Sequence, residues 1–158
     1  QDTEETVAGV EWTTIIFFTG LFMVVGGLQE TGIIAILANK LMAATNGHMV
    51  MTIVILLWVS AIISSFLDNI PFVATLIPLV LTMQQSGVDV LPLWWAISLG
   101  ACLGGNGTLI GASANVVLSG ISNKHGHPIT FASYLKVGFP LMLISVAIST
   151  VFLLIKFA

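Results

Sequence analysis

Apolar residues run along this chain in blocks, at 12–28, 33–44, 49–67, 71–83, 93–103, 109–121 and 137–155, and each block stops at a short polar or glycine-rich break. None shows the period-two alternation in stretches of about ten residues that a membrane β-barrel requires, so the blocks predict helices. Crossing roughly 30 Å of hydrocarbon takes about 20 helical residues. Blocks 12–28 and 137–155 approach that length, and a last helix is expected over about 137–157. Block 33–44 predicts a shorter helix near the interface, with Asn39 and Lys40 on its wet side.

The central blocks break the simple pattern. Arms 48–67 and 71–83 flank Asp68-Asn69-Ile70, and the second arm, at about 13 residues, is too short to cross alone. Their combined length of about 36 residues is nearly twice one span. A re-entrant hairpin over about 48–84, with its tip near the midplane, fits better than one kinked traverse. Region 92–122 has the reverse geometry: two short apolar halves around Gly104-Gly105-Asn106-Gly107-Thr108 make one crossing that is unwound in the middle. Unwound backbone at that depth is tolerated only where protein buries it or it lines a wet cavity. Broken helices of this type point to the binding site of a transporter.

Composition changes the picture by exclusion. With 57% hydrophobic and 7% charged residues, the chain does not fit an ordinary soluble domain. The expected class is an all-α polytopic membrane protein embedded in a lipid bilayer. Residues 1–10 form an acidic N-terminal segment, distinct from the apolar remainder at 11–158, and carry no basic n-region, so no signal peptide is expected. Four lysines, no arginine and a net charge of −3 leave no basic stripe for nucleic acid. If the hairpin returns to its own side, Lys124, His125, His127 and Lys136 share the face of the N-terminus, opposite Lys40 and Lys156, which favours a cytoplasmic N-terminus. Cys102 has no second cysteine to pair with. No His-Glu-x-x-His or Gly-x-Ser-x-Gly pattern suggests an enzyme, and no cofactor is expected beyond bound Na⁺.

Asp68 is the only carboxylate deep in an apolar segment. Placing one at the membrane centre costs about 2.5 to 3.5 kcal/mol even on the lenient insertion scale, and residues kept there usually bind or relay ions. The competing reading is a cap on the second arm, whose first turn also accommodates Pro71. Asn106, Gly107 and Thr108 are candidates to line an ion site, with Asn115 two turns below Thr108 on one helix face. The alternative there is packing, because Gly107, Gly111, Asn115 and Ser119 recur every four residues as a small face. A phosphate loop is excluded, since the Lys-Ser/Thr ending and the preceding strand are both missing. His48, His125 and His127 fall in expected loops. Glu30 is expected at the interface, and Trp12, Trp58, Trp94 and Trp95 mostly as interfacial anchors near span ends.

The stretches "EWTTIIFFTGLF" (11–22), "SSFLDNIPFVATLIPLV" (64–80) and "GACLGGNGTLIGASANVVLSGI" (100–121), followed by "GFP" (138–140), resemble the C-terminal repeat of the ArsB/NhaD group of the ion transporter superfamily. The likeness is greatest to the pink-eyed-dilution, P protein-like permeases. It implies a fold of two inverted repeats, each with a re-entrant hairpin and a broken helix, often assembled as homodimers. This chain has room for one inverted repeat, so an N-terminal repeat or a second copy is expected as partner. The related dicarboxylate carriers have Ser-Asn-Thr at the tip, whereas this chain reads Asp68-Asn69-Ile70. A carboxylate balances one cation by itself and can instead accept a proton. The resemblance therefore implies a secondary transporter performing Na⁺/H⁺ exchange, with Na⁺ held at Asp68, Asn69 and Thr108. Arsenite or dicarboxylate transport and a channel-like pore are the alternatives. The expected location is a prokaryotic cell membrane.

Overall fold

The computed structural model describes residues 12–157, and every regular element among them is helical: α1 (Trp12–Glu30), α2 (Ile33–Ala44), α3 (Met49–Ser64), α4 (Asn69–Gln85), α5 (Leu91–Gly104), α6 (Ser113–Lys124) and α7 (Phe131–Phe157). The acidic segment 1–10 and the side chain of Trp12 lie outside the described residues.

Among these helices only α7, with 27 residues, is long and apolar enough to cross a membrane unaided. It starts at Phe131, ahead of the apolar block at 137. Thr130 and Ser133 cap its first turn reciprocally: Ser133 N donates to Thr130 Oγ1 at 3.1 Å, and Thr130 N donates to Ser133 Oγ at 3.0 Å. This start is set by hydrogen bonds among polar residues, which a search for apolar runs passes over. Helices α1 and α2 join at 66°, across Gly32, whose φ of 75° is left-handed and readily adopted by glycine.

The core forms where α3 lies along α5, and α7 packs on both through Met142, Val146 and Leu153. Close approach follows from residue size. Gly100 faces Leu57 and Ser60, where an added Cβ would come within 2.5 Å of the Leu57 carbonyl oxygen. One turn on, Gly104 abuts the backbone of Ala61, itself fully buried. Small residues of this kind let membrane helices gain van der Waals contact that lipid cannot supply. The face of α7 carrying Ile144, Ile148 and Ile155 is exposed, as suits lipid.

The arms expected to pair as a hairpin make little contact with each other. Helix α3 has taken α5 as its neighbour, and α4 packs against α2 and α5 through Leu79, Val80 and Met83. The small face of α3 (Ser60, Ala61, Ser64) matches the glycines of α5, a complementarity that the length argument did not weigh. Trp58 also departs from its expected role. Its Nε1 donates to Thr150 Oγ1 at 3.0 Å, pinning α3 to α7 within the bundle rather than anchoring a span end.

Candidate functional site

The two breaks in the apolar pattern meet. The α3–α4 turn, 65–68, packs against the loop 105–112 between α5 and α6. Thr108 is fully buried, and its hydroxyl donates to the carbonyl of Ser65, which is also fully buried. Ser64 Oγ donates to the Ala101 carbonyl at 2.8 Å. Gly107 lies so close that a Cβ would reach Ser65 Oγ at 2.5 Å, and one on Gly111 would reach the Ser65 carbonyl at 2.8 Å. None of the glycines from 104 to 111 has positive φ. They are required for close approach, not for an unusual backbone. A Cβ on Gly107 would also touch Met142 at 3.1 Å, so the meeting point sits near the midpoint of the 27-residue α7.

Asp68 is the N-cap of α4. Its Oδ1 accepts from Ile70 N at 3.1 Å, and Pro71 occupies the first turn, where its missing N–H leaves nothing unpaired. The capping role considered for it is therefore present. Its Oδ2 is engaged separately, accepting from Ser113 Oγ at 2.8 Å. That bond joins the first break to the first residue of α6, across 45 positions of sequence. Asp68 is half-buried and Ser113 exposed.

The other sequence candidates divide. Asn115 Nδ2 donates to the Gly105 carbonyl at 2.9 Å and the Thr108 carbonyl at 3.2 Å, closing the loop on itself. The expected stacking of Thr108 over Asn115 on one helix face is replaced by this fold-back, because α6 begins only at Ser113. For the same reason Gly107 and Gly111 lie in the loop, and the four-residue stripe does not run along one helix. Asn106 is exposed, and its carbonyl lies 2.7 Å from where a Cβ on Gly138 would stand. Asn69 points elsewhere: it lines an apolar cavity of about 420 Å³ between α1, α4 and α5, walled by Ile70, Ala101 and Cys102 among others. Asp68 thus has Ser113 as its side-chain partner, while Thr108 serves the Ser65 carbonyl.

Sequence reasoning passed over Ser64, Ser65 and Ser113. Serines adjoining a deep carboxylate and a glycine-rich break carried the signal, yet their pairing depends on how the breaks fold together. His48, His125 and His127 are exposed, as expected for loop residues. No group of three or more His, Cys, Asp or Glu side chains among the described residues could hold a metal.

The family model described as citrate transporter matches residues 1–100, covering the first break and ending just before the second. The P protein of Mus musculus is 43% identical over 162 residues, spanning 98% of this chain and 19% of that protein. The 46 kDa membrane protein of Mycobacterium leprae is 41% identical over 156 residues, with 96% of this chain and 36% of that protein covered. An uncharacterized transporter of Mycobacterium tuberculosis is 42% identical over 158 residues, covering 97% and 36% respectively. The chain therefore spans 19% to 36% of the length of these relatives. No solved structure matches it.

Proposed function

The chain belongs to the citrate transporter family, an integral membrane family of the ion transporter superfamily, and on that premise we propose that it forms part of a secondary active transporter exchanging Na⁺ for H⁺ at Asp68. One observation carries this reading: Asp68 stands half-buried where two helix breaks meet at mid-bundle, and no ion pair among the described residues neutralises it. A carboxylate so placed balances one monovalent cation. Na⁺ and H⁺ then compete for the same oxygens, and each turnover that takes up one releases the other. The side chain bonded to it, Ser113, carries a hydroxyl oxygen, which suits an alkali cation rather than a transition metal.

The exposed side of Asp68 needs protein cover in a bilayer. On this reading the remainder of the parent protein or a second copy supplies it, and the parent works as a homodimer. Relatives occur in mammals and bacteria alike, so the family is not confined to prokaryotic membranes.

The family description favours one other reading, carriage of an organic anion such as citrate, with Asp68 holding the coupling cation. The cation then offsets the charge of Asp68, and the anion would bind beyond it, on surfaces supplied by the rest of the parent.

The test is flux in liposomes carrying the full-length parent, followed with a pH dye under Na⁺, arsenite and citrate gradients. Asp68→Asn is expected to abolish Na⁺-dependent proton movement while preserving the fold, because the amide is nearly isosteric and easier to bury. Unchanged flux with the same Na⁺ and pH dependence would leave Asp68 as a cap alone. Citrate uptake that requires Na⁺ and moves no protons outward would establish the anion reading instead.

A further inference from the structure

Resting on the reading of Asp68 as the ion-carrying carboxylate, we propose that Ser113 is a second oxygen ligand of the same cation and the residue that positions Asp68 to receive it. The Ser113 hydroxyl donates to Asp68 Oδ2 at 2.8 Å, and rotation about its Cβ–Oγ bond turns the proton away and presents a lone pair to a cation that the same carboxylate oxygen holds. Two oxygens at that spacing, one charged and one neutral, form a chelating edge for a small hard cation. The carboxylate is also held from its other side, since Ile70 N donates to Oδ1 at 3.1 Å. Donors on two different helices thus fix its plane before any ion arrives.

The alternative partners are worse placed. The Thr108 hydroxyl is fully buried and spent on the Ser65 carbonyl, and Asn69 lines the apolar cavity on another side of the turn. Ser113 is exposed beside the half-buried Asp68, so the pair opens toward the side where α6 buries none of its residues. With no packed face to hold it, the start of α6 is set by the Ser113–Asp68 bond and by the two Asn115 bonds. A cation bridging Asp68 and Ser113 takes over from that bond as the tie between the start of α6 and the start of α4.

The experiment measures initial flux against Na⁺ concentration for the full-length parent in liposomes. Losing one ligand of a charged centre should raise the KM for Na⁺ about tenfold in Ser113→Ala, with kcat changed by no more than about twofold. Ser113→Thr, which keeps the hydroxyl, should hold KM within about twofold of the parent. In detergent, NaCl should raise the melting temperature over choline chloride in the parent and in Ser113→Thr, and much less in Ser113→Ala. Should Ser113→Ala not fold, Ser113→Cys keeps the volume with a poor ligand for a hard cation and is expected to raise KM likewise. An unchanged KM in the folded alanine or cysteine variant overturns the assignment of Ser113 even when Asp68→Asn is inactive. Full Na⁺-dependent flux in Asp68→Asn overturns the reading on which it rests.

Discussion

Helices α5 and α6 are two halves of one apolar region, yet the fold treats them oppositely. Along α5, Pro92, Leu93, Ala96, Ile97, Gly100, Ala101 and Gly104 are buried. Along α6 no residue is buried, and Val116, Val117, Leu118 and Ile121 are exposed. Helix α5 has Ser98 as its one polar residue, whereas six of the twelve residues of α6 are polar, yet apolar content alone does not give a helix its neighbour. In a bilayer, lipid solvates a leucine about as well as another helix does, so a helix is held by close packing of small residues and by hydrogen bonds. Helix α5 has both, through Gly100 and Gly104 against α3 and through the Ala101 carbonyl accepting from Ser64. Helix α6 has hydrogen bonds without close packing: at its first residues to Asp68, Gly105 and Thr108, and farther on from Ser119 Oγ to the Ile129 carbonyl at 3.1 Å. One half is scaffold. The other hangs from the candidate ion site.

This contrast can be broken by substitution. The largest effect is expected from Gly104→Leu, which drives a side chain into the Ala61 backbone, where nothing flexible can yield. Overpacking of this kind should cost at least about 3 kcal/mol, seen as aggregation or a steep loss of melting temperature in the parent protein. A smaller loss is expected at the junction of the two halves. Asn115→Leu preserves shape but strips the side-chain donor from the Gly105 and Thr108 carbonyls, and should cost about 1 to 3 kcal/mol in thermal melting. The smallest is expected on α6 itself, where Val117 is 61% exposed. Val117→Ala should change stability by less than about 0.5 kcal/mol. A loss of several times that in the full-length parent would show that α6 packs on a segment outside these 158 residues, and would sharpen the contrast into one between inner and outer contacts.

Much of this was legible in the residue order. Blocks of apolar residues placed every helix, because helix formation in an apolar medium is dictated by backbone hydrogen bonding whatever the partners. The break around 104–108 was visible in its glycines, although the loop extends to 112. Asp68 stood out because a carboxylate in such surroundings is conspicuous on energetic grounds alone. The start of α7 at Phe131 was hidden, since Ser133, Tyr134 and Lys136 interrupt the apolar run while the Thr130–Ser133 cap begins the helix regardless.

By itself, then, the sequence determined an all-helical membrane chain with two interruptions and one deep carboxylate, all of them properties of local composition. Partnership was decided only in the tertiary structure: α3 against α5 rather than α4, Thr108 to Ser65, and Ser113 to Asp68. The reason is physical. Among apolar helices in lipid, the choice of neighbour turns on where small residues align and on which hydroxyl finds which carbonyl or carboxylate. Those matches join positions far apart in the chain, 45 residues for Asp68 and Ser113 and 92 for Trp58 and Thr150, and no periodicity along a single helix records them.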